Sequence, residues 1–470
     1  PAATVVTMDV TLGEASAATQ MEKAGAGTLI LTQSATYTGA TTVSAGTLHL
    51  GGGAANVMLS GAIAVSSGAT LVVETVASSD YVLTNVVSGS GAMTVAGTGT
   101  LSFESASSGF AGTTMVVSGA GLSGTAAGSL GGTTTIADGG LLVADQAGTG
   151  HGLTLETLVL TAGGFASTGS IMAVNLTTAG AAGLFAVTDV ALEGIVRVNQ
   201  NGTTLGDGVY ALIDAANAPT GSGLKIDRAN SNLGDLSVVS VNGANQVVLT
   251  VGDDIDPDKS VYAYWNGTTA GMPGAPGIVG GAGTWDGLAS STNWTNSAGT
   301  TSGPWTAGRY ARFQGTGGAV TVQGTIAGVE GLVFDVDGYQ LSGGALALQS
   351  SYSDNRADIM VTASGATAAI GSDLSGNGIG INVTGPGTLV LSGSKSFTGL
   401  TSVQSGTLQL GDQTAAAGLS GALEVLSGAT LAGVANGGNA PQTIVGLTTL
   451  DQGANLVVTL SLMPGNAALF

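Results

Sequence analysis

The sequence predicts an all-β protein wound as a β-solenoid, and three observations predict it. Glycine fills 81 of 470 positions while charged residues make up only 8%, a composition that suits short strands of Thr, Val and Leu joined by tight turns. A long block of sequence recurs after 360 residues, from Gly25 to Gly385. Inside each copy of the block a second step of 22 residues separates Gly46 from Gly68 and Gly406 from Gly428, a period characteristic of stacked coils.

The first copy reads GAGTLILTQSATYTGATTVSAGTLHLGGGAANVMLSGAIAVSSGATL from Gly25 to Leu71, and the second reads GPGTLVLSGSKSFTGLTSVQSGTLQLGDQTAAAGLSGALEVLSGATL from Gly385 to Leu431. They align without a gap, with roughly 26 identities in about 47 positions, far above chance. A looser third copy, GTGTLSFESASSGFAGTTMVVSGAGL, begins at Gly97. The short unit VSAGTL at Val43 returns as VSSGATL at Val65, and VQSGTL at Val403 returns as VLSGATL at Val425. Glycine belongs at such corners because the chain must turn with positive φ or pass close to the next coil. Leu29 and Leu31, then Leu48 and Leu50, alternate with polar or variable residues, so one side chain points inward and the next outward. One coil cannot bury such a row, but coils stacked about 4.8 Å apart can.

These residues carry a family resemblance. The pattern G-x-G-T-L-x-L-x-G-x-x-x-[YF]-T-G-x-T-x-V-x-x-G-T-L-x-L resembles the autotransporter-associated β-strand repeat, the passenger-associated repeat of bacterial surface β-helices. The two strong copies match it at nearly every position, apart from Gln33 where the second copy has Gly393. The resemblance implies a right-handed parallel β-helix, exported and displayed outside a Gram-negative-type cell. It implies no particular activity, since members serve as adhesins, stalks and carriers of enzymatic domains.

Along the chain, residues 1–150 read as a first run of solenoid repeats. From 151 to 252 the corner pattern fades into strands with NG and DG turn signals, consistent with irregular coils or a β-sandwich-like insertion. Residues 253–260 form an acidic linker, 261–318 a Trp-rich module, and 319–470 a second, incomplete solenoid unit. Trp265, Trp285, Trp294 and Trp305 are all four tryptophans of the chain. Tyr262, Tyr264, Tyr310, Phe313, Arg309 and Arg312 flank them, and the pattern YWNG…GTWDG…TNW…PWTAGRYARF also resembles a segment recurring in large proteins with this repeat. Pro1 is preceded by no charged and apolar leader, so a signal peptide is expected to be absent or removed. Neither end carries the polar cap that closes a solenoid, and either further repeats or neighbouring copies are expected to cover them.

Composition excludes several functions. Nine Lys and Arg against 29 Asp and Glu give a net charge of -20, which cannot line a nucleic-acid groove. With no cysteine, disulfide scaffolds, thiol catalysis and Cys-based zinc sites are out. Mean hydropathy is +0.42, yet no run of about 18 apolar residues encodes a spanning helix. The G-x-G strings precede strands rather than helices and so cannot cradle a dinucleotide phosphate.

Candidate chemistry is sparse. His49 occupies a position held by Gln409 in the sister copy and reads as an outward strand residue, while His151 reads as a turn residue. No catalytic residue and no resident cofactor are expected. Asp335 and Asp337 in FDVDG, read as a strand, fall on one face without a basic neighbour in sequence. With Asp253, Asp254, Asp256 and Asp258 they are weak candidates for calcium, although the Gly and Glu of an EF-hand loop are missing. The four tryptophans are read chiefly as the bulk of a small core, and secondarily as a platform for stacking sugars.

The expected function is a non-enzymatic extracellular structural protein: a stalk, fibre or surface-layer component whose partners are further repeats or copies of itself end to end. The alternative is a surface adhesin that binds glycans or host matrix through the solenoid face or the Trp segment. A polysaccharide-cleaving β-helix, dependent on a carboxylate cluster and a cation, is the third reading.

Overall fold

The computed structural model describes residues 4–14, 18–52, 55–77, 81–146, 152–163, 169–180, 182–253, 260–267, 277–412, 414–434 and 442–459. They form two compact units, one of residues 1–234 with 239–249, the other of 235–238 with 250–470. Both are parallel β-solenoids. Among the described residues the helical content is a single 3-10 turn, Arg228–Asn230, and no helix is long and apolar enough to cross a membrane.

In the first unit the Leu and Val rows of the sequence become vertical stacks. Thr28–Leu31, Gly46–Leu50, Ala69–Thr75 and Ala92–Gly97 lie side by side in one sheet. Leu29 sits against Leu48, Leu48 against Leu71, and Leu71 against Met93. Leu48 and Leu71 are fully buried, each contributing roughly 1.5–3 kcal/mol of transfer free energy that a single coil could not capture. Two further sheets, starting at Met21–Lys23 and Tyr81–Leu83, complete the coil walls.

Two corner glycines show the separate demands placed on that residue. Gly46 has φ 68°, and a Cβ there would lie 2.4 Å from the carbonyl oxygens of Gly25 and Gly27 in the coil below. Gly68 has φ 78° but open space around it, so backbone handedness alone calls for glycine.

Past residue 151 the parallel stacking continues. Thr154–Leu160 pairs with Phe185–Ala191, and Phe185–Ala191 pairs with Gly208–Ala215. On another wall Ile171–Asn175 pairs with Ile195–Val198, which pairs with Lys225–Ile226. The fading of the corner signal therefore marks longer, irregular loops between coils that keep their pairing.

The second unit begins with the aromatic segment. Tyr262–Trp265 pairs in parallel with Arg309–Phe313 and antiparallel with Trp294–Thr295. Coils then stack through Ala319–Phe334, Gln340–Leu348 and Arg356–Val361 to the second repeat copy. There Leu389, Leu408, Leu431 and Leu456 repeat the Leu stack of the first unit. A continuous apolar core runs from Trp265 to Leu431, with the tryptophans closing the end that comes first in sequence.

Candidate functional site

Sequence singled out three sets of residues, and the structure draws parts of two of them into one cluster on the outer face of the second unit. Strand register starts it: Tyr262 lies opposite Tyr310, Ala263 opposite Ala311, and Tyr264 opposite Arg312. Alternation puts Ala263 and Ala311 in the core and the other side chains on the outer face. The Arg312 guanidinium lies over both tyrosine rings, 4.9 Å from the Tyr262 centroid and 5.8 Å from that of Tyr264, within cation–π range.

Each polar tip of this cluster has an acidic partner. Arg312 Nε donates to Asp335 Oδ2 at 2.7 Å, Tyr264 donates to Asp253 at 2.6 Å, and Tyr262 donates to Asp235 at 2.7 Å. Ser260 adds a bond to Asp253 and Thr362 one to Asp335, both at 2.8 Å. Burial pushes both tyrosine hydroxyls well above their ordinary range, and the neighbouring carboxylates push the same way. Burial works against the charge of Arg312, but the bond and charge of Asp335 outweigh it and raise the guanidinium further. The cluster is thus a fully partnered clasp that fixes residues 235 and 253–264 to the coil face.

This placement corrects the reading of FDVDG. The strand Ala319–Phe334 stops before Asp335, so Asp335 and Asp337 are turn residues and do not share a strand face. Asp335 has a cation after all, reached across a coil rather than along the sequence. Asp337 accepts the backbone N–H of Thr367 at 2.7 Å. Asp254, Asp256 and Asp258 lie outside the described residues, as does His151. Among the described residues no three carboxylate or histidine side chains converge as a metal would require. His49 lies outward and pairs with Glu74 at 2.9 Å.

The tryptophans form a second cluster. Trp265, Trp285 and Trp294 are buried, and Trp294 meets Trp265, Trp285 and Trp305 at centroid distances of 5.2, 4.8 and 4.9 Å. Phe313 joins them and stacks on Phe334 at 5.0 Å. The Trp265 indole donates to the Gly281 carbonyl and that of Trp305 to the Ala327 carbonyl, while the buried Trp285 N–H has no partner among the described residues. Trp305 is half-exposed, so within this cluster it is the ring that a sugar could reach.

Sequence reasoning passed over two buried lysines. Lys23 donates to the carbonyls of Ala24, Gly25 and Ala45, and Lys395 to those of Ser372 and Ser392 at 2.7 and 2.6 Å. Burial pushes Lys395 down to about 8, against the opposing charge of Asp373. Both lysines satisfy corner carbonyls. An open hollow of about 380 Å³ in the first unit, lined by Thr154, Thr188, Asp214 and Ala216 among others, offers one titratable group. Asp214 accepts from Gly183 N and Gln246 Nε2, which leaves the hollow without an acid–base pair.

Comparison with known proteins meets this geometry at the repeat. The chain carries the passenger-associated transport repeat at residues 21–50, 93–121 and 381–410, the coils whose Leu rows stack. It is also 31% identical over 254 residues to the adhesin BmaC autotransporter of Brucella suis biovar 1 (strain 1330). That match covers 52% of this chain and 7% of the relative.

Proposed function

We propose that this chain is part of the displayed passenger of a bacterial surface adhesin, a non-catalytic β-solenoid that carries binding surface away from the cell. The single observation behind this reading is the coincidence of the passenger-associated transport repeat with the stacked coils, in a chain similar to a protein named as an adhesin. That similarity favours the adhesive reading over the purely structural fibre that composition suggests first. Export to the surface of a Gram-negative cell follows from the same resemblance. The chemistry agrees with a non-enzymatic role: Arg312 is held between two tyrosines and Asp335, and the carboxylates near it are each bound to a donor.

The test is binding of the purified chain to arrays of immobilised glycans and extracellular-matrix proteins, with a display strain as the cellular counterpart. Saturable binding to at least one class is expected. A flat response on both arrays, with the protein folded by circular dichroism, would return the chain to the structural reading.

A further inference from the structure

Two strand edges in this molecule carry no neighbour among the described residues, and the same chain shows what such edges accept. Val5–Met8 pairs with Thr28–Leu31 on one side, and Asn455–Thr459 pairs with Thr430–Val434 on one side. Each has an internal counterpart. In the second repeat copy Thr367–Ile370 pairs with Thr388–Leu391 as Val5–Met8 pairs with Thr28–Leu31, and its other side carries Gln340–Leu348. In the first copy Ala92–Gly97 lies on Ala69–Thr75 as Asn455–Thr459 lies on Thr430–Val434, and its other side carries Thr113–Val116.

Burial at matched positions measures what the missing neighbour does. Val6 is opposite Leu29 and is 50% exposed, whereas Ala368, opposite Leu389, is 0% exposed. Leu456 is opposite Leu431 and is 58% exposed, whereas Met93, opposite Leu71, is 1% exposed. Both open edges therefore present an inward-facing apolar side chain together with a row of unpaired backbone groups. Neither VVTM at 5–8 nor NLVVT at 455–459 contains the charge or proline that protects exposed strand edges from pairing.

We propose that copies of this chain join end to end, Asn455–Thr459 of one seating in parallel against Val5–Met8 of the next, with Leu456 over Val6. The contact continues the coil-on-coil stacking found inside each unit. It uses different surfaces on the two copies, so it is heterologous and extends into open chains rather than closing on itself. It does not depend on the adhesive reading.

Sedimentation velocity of the whole chain tests this, from roughly 5 to 200 μM. The weight-average mass is expected to climb above the 45.0 kDa of one copy. Val6→Lys and Leu456→Lys each place a charge in one edge, and each is expected to weaken association at least about tenfold. An equimolar mixture of the two variants retains one good edge of each kind, so it is expected to form pairs and stop there. Wild-type protein that remains a single copy throughout the range overturns the proposal, whatever the variants do. So does a pair of variants that associate as the wild type does while keeping its circular dichroism and melting temperature.

Discussion

Tyr37 and Thr41 share a buried hydrogen bond of 2.6 Å between their hydroxyls, and the second repeat copy has lost it. Phe397 stands where Tyr37 stands and Thr401 where Thr41 stands, and both are fully buried. The Thr401 hydroxyl consequently has no partner among the described residues. A buried hydroxyl left unpaired costs about 1–3 kcal/mol, while a satisfied bond contributes about 0.5–1.5.

Phe397→Tyr is therefore expected to stabilise the second unit by about 1 kcal/mol, and Thr401→Val to stabilise it by a similar amount. The double variant should be no better than wild type, because the new tyrosine hydroxyl would then be the orphan. Urea unfolding followed by tryptophan fluorescence reads this unit alone, since all four tryptophans belong to it. Additive gains in the double variant would show that the two side chains do not meet.

Lys395 makes a pH-dependent prediction. Its folded-state value lies near 8 and its unfolded value near 10.4, so between those limits the unfolded chain holds the extra proton. Stability should rise with pH across that window, with a slope of at most about 1.4 kcal/mol per unit from this group. Buried tyrosines, whose values are raised, contribute the opposite slope as pH passes 10. The informative quantity is the difference between wild type and Lys395→Met from pH 7 to 10. Parallel curves would mean that the carbonyls of Ser372 and Ser392 hold the ammonium charged throughout.

How much of this was legible in sequence depends on how far apart the partners lie. The Leu48–Leu71 stack and the corner at Gly46 follow from a local pattern repeated 22 residues on, so periodicity alone places them. The Arg312–Asp335 pair spans 23 residues too, but no repeat unit carries an arginine and an aspartate at those places, and only the register of two coils brings them together. Lys395 was invisible for a related reason: the sister position holds Ala35, so a comparison of copies reads it as an outward variable site. In the aromatic segment, sequence supplied the tryptophans but not their order of burial, which follows from Trp294 pairing antiparallel to Trp265.

The clasp at Arg312 is expected to be worth more than an exposed ion pair, because the guanidinium loses a planar fork and two ring faces together. Arg312→Lys keeps the charge and loses both, so it should destabilise the unit by about 1–2 kcal/mol. A double-mutant cycle of Arg312→Lys with Asp335→Asn should give a coupling of about 1 kcal/mol. Coupling near zero would reduce the pair to a surface contact. Chelation by EDTA should leave the melt unchanged, because the described oxygens of Asp253 and Asp335 are already bonded. A calcium-dependent rise in melting temperature would instead make Asp253 a ligand.

The two roles open to the tryptophans separate by position. Trp294 is buried among three indoles and Phe313, so Trp294→Ala should cost about 3–5 kcal/mol as a cavity-forming change and shift the fluorescence midpoint accordingly. Trp305 is half-exposed, and its removal should cost about 1 kcal/mol. If glycans bind here, they stack on Trp305, and Trp305→Ala should abolish array binding while the unit stays folded, with Trp305→Phe restoring part of it. Binding that survives Trp305→Ala would move any glycan contact to the solenoid face and leave the aromatic segment with one task, closing the core of its unit.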